Sequence, residues 1–503
     1  MKERTKKVFT NAAWNSGSFA LIAFLMLLTT PFFVKKFGIE GYGIYILITS
    51  LMGYYGLLDL GLGESLIKFI AEYYTKDDLN SITKAINSAI IIQSLIGCVA
   101  SVLLVILAHP IVHLLKISES LSGTAEFGIS VYSLGFFFTM ISSALSSAVK
   151  GLQRFDISSK VDSITSISVT LITVILVLAG YGLKECLVAN VFVNFIMFLS
   201  YIIVVRNLIP SWIPKFDLDL KYLRSFFGFS FYLFLSKLSG IFANYIVRFV
   251  VSAFLSPVAV TYYVVPSKLT GAIGGFMGGA VNSLFPYASA LNSSNDKEGI
   301  RAAFLKGSRT FAGIAAPISF TLILLSKPIL AFWMGPDFAE KSWIVLSVLA
   351  MGSFIGSLSA IPNIIIMGIG NSRLVGHFAL ISLVFYVMLV PPFTSFYGIL
   401  GTSIALLINS SIMILYVIYK TSLFLKVSRT EFLKTVITPH AYSLIILCLL
   451  FYFCYFLFPV SISLAFVIGI AYFVLCSSYL VYTEVIPLKI LFSPFLKTKQ
   501  SDQ

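Results

Sequence analysis

Apolar residues fall in long runs along almost the whole chain, each closed by charges or turn residues. The runs lie near residues 12–34, 42–66, 84–108, 125–149, 163–180, 186–205, 226–255, 258–290, 304–333, 342–367, 373–393, 397–419, 437–458 and 461–483. A helix needs about 20 apolar residues to cross a hydrocarbon core of about 30 Å, and longer runs tilt or extend past it. The pattern predicts an all-α membrane protein of about fourteen transmembrane helices. The connections outside them are short.

Composition sharpens this reading. Of 503 residues 58% are apolar and 11% charged, whereas soluble domains carry about 25% charged residues. A water-facing surface cannot be built from so few charges, which excludes a soluble enzyme. A net charge of +14 would in a soluble protein point to nucleic acid. Here the cations sit in alternate short loops, where they orient the chain in a bilayer, and no nucleic-acid partner is expected. With the N-terminus inside, one side receives Lys2 to Lys7, Lys68 to Lys84, Lys150 to Lys160, Arg206 to Arg224, Lys297 to Arg309, Arg373 and Lys420 to Lys434. The other side keeps Lys35, Lys36, Lys116, Lys184, Lys327 and Lys341. This bias predicts an even number of spans in a bacterial cytoplasmic (inner) membrane, with both termini cytoplasmic. The five cysteines, Cys98, Cys186, Cys448, Cys454 and Cys476, lie in apolar stretches and show neither metal-ligand spacing nor a disulfide framework. The basic N-terminus runs into the first apolar stretch without a small-residue cleavage site, so it reads as an uncleaved span.

An internal repeat appears at an offset of 217 residues. Phe37, Tyr45 and Ser50 are echoed by Phe254, Tyr262 and Ser267, and Gly151 by Gly368. With a slip of one residue, Tyr181-Gly182-Leu183 matches Tyr397-Gly398-Ile399. The offset equals six spans, and an even shift preserves orientation. Two parallel six-helix lobes related by a pseudo-two-fold axis along the membrane normal are therefore expected, a transporter plan. Residues 1–207 form the first lobe, 208–425 the second, and 426–503 two further helices and a tail.

Ionisable groups within a span cost roughly 2.5–3.5 kcal/mol each on insertion scales and so mark pathways or buried pairs. Lys237, Asn244 and Arg248 recur at intervals of seven and four, the spacing of one helical face, and Lys268 lies in the next span. Neither span holds a carboxylate, so the pattern suits an anion. Asp59 could neutralise Lys237 or serve the substrate itself. Asn11, Asn15, Ser18 and Thr29 form a softer stripe, fit either to line a path for sugar hydroxyls or to bond neighbouring helices. Gly271, Gly275 and Gly279 suit close helix packing, and Pro31, Pro266, Pro317, Pro362 and Pro391 suit kinks. No paired loop carboxylates, metal cluster, nucleophile motif or P-loop occurs, and His109 and His113 have no carboxylate cluster in sequence. The chain is thus expected to be no enzyme and to need no cofactor, with movement coupled to the substrate gradient or to an ion gradient such as H+ or Na+.

The stretch GIEGYGIYILITSLMGYYGLLDLGLGESLIKFIAEYYTKDD resembles the second span and following loop of polysaccharide transporters, the O-antigen and oligosaccharide flippases. GLQRFDISSK resembles their loop motif, and NYIVRFVVSAFLSPVAVTYYVVPSKL is similar to their seventh-to-eighth span hairpin. The likeness weakens after about residue 430. It implies membership of the multidrug/oligosaccharidyl-lipid/polysaccharide superfamily, with two six-helix lobes and alternating access. It further implies an undecaprenyl-diphosphate-linked oligosaccharide as substrate, for O-antigen, capsule or exopolysaccharide synthesis. Membrane lipids are implied as surroundings, and polysaccharide polymerase and chain-length proteins as candidate partners. Asp59 matches the family's acidic position in span 2, and Arg248 its basic position in span 7. The acidic residue often found before that arginine is Val247 here, which removes a local counter-ion. Two other readings remain: a drug/cation antiporter, which would want acidic cavity residues, and a membrane polymerase or ligase, which would want a large external loop.

Overall fold

A computed structural model describes residues 2–215, 238–282, 284–452 and 462–482, and every regular element among them is helical. Ten of the described helices are long and apolar enough to cross a membrane, so the chain is a multi-pass membrane protein. Their outward faces carry bare apolar side chains, Leu178 and Leu475 each 69% exposed, as contact with lipid requires. By contacts the chain forms two compact units: Met1–Val264 with Tyr386–Ile399, and Val265–Phe385 with Leu400–Gln503.

In the first unit α1 (Lys2–Ser50) is divided by Gly38, whose φ of 74° and ψ of 168° no helix contains. The division falls between the first two apolar runs. There follow α2 (Tyr55–Leu58), α3 (Leu62–Thr75), α4 (Leu79–Ile106), α5 (Ala108–Leu114), α6 (Glu119–Gly151), α7 (Phe155–Leu178) and α8 (Leu183–Leu208). After the undescribed stretch comes α9 (Leu238–Phe254). Helix α6 is central, packed between α4 and α8. Lipid supplies no hydrophobic drive for helices to associate, so close van der Waals fit must do so, and small residues permit it. Ser142, Ala144, Ser146, Ser147, Ala148 and Gly151 of α6 are all buried. A Cβ on Gly151 would stand 2.7 Å from that of Ile70. Trp212 closes one end of this core, its indole N–H donating to Asn87 Oδ1 at 3.0 Å.

The second span departs from the expected unbroken run 42–66. A short 3-10 turn (Leu51–Tyr54) leads through α2 to a break at Leu60 and Gly61, with φ of 48° and 82°. Left-handed backbone at a bulky residue costs roughly 1–2 kcal/mol. The adjacent Asp59 offsets this by accepting the Gly63 N–H at 3.1 Å, at the start of α3. Hydropathy is blind to such a break, since Leu60 and Gly61 are as apolar as their neighbours.

In the second unit, α10 (Pro257–Asn282), which begins in the first, is followed by α11 (Leu284–Ser293), α12 (Lys297–Leu324), α13 (Ser326–Met334), α14 (Pro336–Ser357) and α15 (Ala360–Gly368). Then come α16 (Ser372–Leu425), whose segment Tyr386–Ile399 belongs to the first unit, α17 (Arg429–Leu450) and α18 (Ile462–Tyr482). Helix α16 is divided by Gly398 (φ 62°, ψ −147°), at the start of the expected run 397–419. Helix α12 is the centre here, packed on α14 and α18. Pro31, Pro266, Pro317 and Pro391 lie inside helices as expected, and Pro362 lies in the first turn of α15.

The repeat is visible in the backbone itself. Gly151 and Gly368 each end a helix; Gln153 (φ 60°) and Gly370 (φ 91°) follow, and Arg154 and Asn371 cap the next helix. Asp77 and Asn295 share a positive φ; Asp78 then caps α4 through the Ser81 N–H, and Asp296 caps α12 through that of Gly299. Helix breaks at Leu107 and Leu325 precede Pro110 and Pro328 by the same three residues. Each pair is 217 or 218 residues apart.

Candidate functional site

The first unit contains a polar cavity of about 600 Å³, a size that accommodates a small-molecule ligand. It is lined by Asp59 and Glu64, Tyr55 and Tyr245, Asn244 and Lys150, with Ser143 and Ser147 behind them. Aromatic faces beside hydroxyl, amide and carboxylate groups suit a polar, many-hydroxyl ligand. The break before α3 lies in this wall, with Asp59 immediately before it and Gly63 and Glu64 after it, all three lining the cavity.

Asp59 is 3% exposed. Its Oδ1 accepts from Gln93 Nε2 at 2.7 Å as well as from Gly63 N. Gln93 is 1% exposed, and its Oε1 has no hydrogen-bond partner among the described residues. A Cβ on Gly63 would stand 2.7 Å from Ser147 Oγ, so a larger residue there would force that hydroxyl to move. Asp59 is therefore both a cavity residue and the clasp that holds a broken helix to α4. The carboxylate of Asp162, from α7, accepts the Tyr201 hydroxyl at 2.6 Å.

Arg248 lies one turn beyond Asn244 on α9. Asn244 itself lies within a π turn of α9, Phe242–Ile246, an irregularity frequent at functional sites. Bonding to the fifth residue shifts the face, so the spacing of four does not bring both side chains into one cavity. Asn244 lines the polar cavity and donates to the Gly240 carbonyl at 2.9 Å. Arg248, half-buried, donates from Nη1 to Ser50 Oγ at 2.8 Å and lies 5.3 Å from the centre of the Tyr245 ring. Ser50 gives its own proton to the Ile46 carbonyl at 2.6 Å, leaving its lone pairs to the guanidinium. The titratable neighbours of Arg248 are Tyr245, Tyr263, Tyr42 and Tyr54. Among the described residues no carboxylate pairs with it, which matches the Val247 departure.

The remaining sequence candidates are dispersed. Lys268 is half-buried on α10, in the second unit. Lys237 lies outside the described residues. Asn11 and Asn15 belong to α1, but their side chains lie outside the described residues; Thr29, from the same stripe, donates to the Leu25 carbonyl at 2.8 Å. His109 meets a single carboxylate, Glu126 Oε1, at 2.7 Å across 17 residues. Sequence reasoning missed Gln93, Tyr55, Tyr245, Lys150 and the serines of α6. Gln93, an amide inside the apolar run 84–108, was the one visible signal.

The polysaccharide biosynthesis protein family matches residues 35–343. A Shigella flexneri protein named "Putative O-antigen transporter" is 25% identical over 399 residues, which are 79% of this chain and 94% of that protein. Among solved structures, the lipid II flippase MurJ in an inward closed conformation aligns with a TM-score of 0.74 at 18% identity, over 95% of this chain and 100% of the other. An inward-facing multidrug resistance MATE family transporter of the MOP superfamily aligns with a TM-score of 0.64 at 14% identity, over 81% and 98%. At these identities the likeness shows a shared fold.

Proposed function

The chain belongs to the polysaccharide biosynthesis protein family, and on that premise we propose that it is a flippase for undecaprenyl-diphosphate-linked oligosaccharide. The observation that carries the proposal is Arg248: a guanidinium held at depth by a serine hydroxyl and a tyrosine ring, unmatched by any carboxylate among the described residues. An embedded cation without a carboxylate partner suits an anionic group arriving from outside the protein, and a fixed, planar guanidinium suits phosphate oxygens. The adjacent cavity, with tyrosine rings and hydroxyl and amide groups, suits the sugars.

In this reading fourteen spans form two six-helix lobes and a terminal pair, both termini lie in the cytoplasm, and the lobes rock to expose the cavity on either side. Lys237 and Lys268 add to the anion site, Asp59, Asn244, Asn11 and Asn15 to the polar path, and an H+ or Na+ gradient drives the cycle. A cation antiporter would find Asp59 and Glu64 in the cavity, but Asp59 is already engaged by Gly63 and Gln93.

The test is translocation of lipid-linked saccharide in proteoliposomes. A charge-assisted hydrogen bond contributes about 1.5–3 kcal/mol, so Arg248→Ala should slow transport about tenfold or more, and Arg248→Lys should restore part of it. Full transport by Arg248→Ala would remove the anion role.

A further inference from the structure

Helix α9 carries three chemistries in order. Asn244 and Tyr245 line the polar cavity, Arg248 follows, and Phe249, Val250, Ala253 and Phe254 line a second cavity of about 560 Å³ in the same unit. This second cavity is almost wholly apolar. Leu51, Leu115 and Phe136 form its buried floor; Leu103, Leu107 and Leu114 form an exposed rim. The segment from Leu51 to Asp59 is the partition, with Gly53, Tyr55 and Gly56 toward the polar cavity and Tyr54, Leu57 and Leu58 toward the apolar one. Tyr54 meets Phe249 edge-on at 5.2 Å and is also a neighbour of Arg248. From Tyr245 to Phe254 is about 14 Å at 1.5 Å per residue, so the three surfaces follow one another within the length of one amphiphile.

We propose that the apolar cavity holds the proximal part of the polyisoprenoid chain of the lipid-linked saccharide, with the phosphate on Arg248 and the first sugar in the polar cavity. The proposal rests on the flippase reading and assigns the tail a place on the protein. A sugar nucleotide would leave the apolar cavity empty, and a phospholipid would leave the polar cavity empty. A saccharide linked through phosphate to a long apolar chain meets all three surfaces in the order in which α9 presents them. The competing occupant is a phospholipid chain, whose phosphate could reach Lys116; that ammonium donates to the Phe254 carbonyl at 2.8 Å, where Leu115 and Phe254 line the groove.

The experiment uses the full chain in phosphatidylcholine nanodiscs, with undecaprenyl diphosphate, inorganic diphosphate and phosphatidylglycerol as probes. Ala253→Trp and Leu104→Trp, which fill the groove, should each weaken undecaprenyl diphosphate binding at least tenfold and leave inorganic diphosphate binding within twofold. A photo-crosslinking residue at Leu104 in the otherwise unsubstituted chain should label undecaprenyl diphosphate in preference to phosphatidylglycerol, which keeps the test alive if the tryptophan variants do not fold. Unchanged affinity in folded tryptophan variants, or equal labelling of phosphatidylglycerol, would overturn the tail site while leaving the flippase reading intact. Absence of undecaprenyl diphosphate binding by the unsubstituted chain would overturn both.

Discussion

At the scale of the residue, Asp59 shows how a buried carboxylate can serve structure and site together. It accepts the Gly63 N–H and the Gln93 amide while lining the polar cavity. Removing it leaves the buried Gln93 amide without its acceptor, and an unsatisfied buried donor costs about 1–3 kcal/mol. Asp59→Ala should therefore lower thermal stability by at least that much, read from the melting of the detergent-solubilised protein. Asp59→Asn keeps an acceptor oxygen and should melt close to the parent chain. Transport by Asp59→Asn then isolates the charge itself: a folded but slow variant assigns the negative charge to the cycle, and full transport confines Asp59 to the clasp. The spacing of Lys237, Asn244 and Arg248 placed three groups on one strip of sequence, but the π turn at Phe242–Ile246 parted Asn244 from Arg248. Which carbonyl a local N–H chooses is set by packing, and a hydropathy pattern does not carry it.

At the scale of the element, the glycines that divide long apolar stretches matter more than those within helices. Gly398 holds φ 62° and ψ −147°, close to a region populated essentially by glycine, where another residue costs about 1–3 kcal/mol. Gly398→Ala should destabilise the protein by that amount. Gly123, helical with no atom within 4 Å of a Cβ, should gain up to about 1 kcal/mol as alanine. Equal melting shifts for the two would show that α16 is not held at its bend. The same glycines mark the repeat, because the turns they permit, unlike exchangeable apolar side chains, have strict backbone requirements. Gly151 and Gly368 were legible in sequence for this reason. Asp78 with Asp296 and Pro110 with Pro328 were equally well placed and emerge only when the backbone is compared.

At the scale of the whole molecule, orientation follows from where Lys and Arg can remain hydrated. Single cysteines at Lys76 and Gln153, introduced into a cysteine-free chain, should react with a membrane-impermeant maleimide only after the cells are opened. Cysteines at Lys184 and Lys341 should react in intact cells. Any reversal within this set would overturn the alternation and the proposed cytoplasmic termini. The native cysteines must be removed first, since Cys98 and Cys448 are exposed on the protein surface.

Hydropathy and charge by themselves determined that this is an all-helical, multi-pass membrane protein, because the cost of placing polar groups in hydrocarbon acts on each segment independently of its neighbours. They also singled out Arg248, with Lys237 and Lys268, as cations in spans without a carboxylate, since an embedded charge is conspicuous in any apolar run. Tertiary structure decided what each polar group faces. Gln93 became the partner of Asp59, Ser50 that of Arg248, and residues 51–59 the wall between a polar and an apolar cavity. Those pairings join helices distant in sequence through hydrogen bonds of short reach, and distances between helices have no trace in the order of residues along one of them.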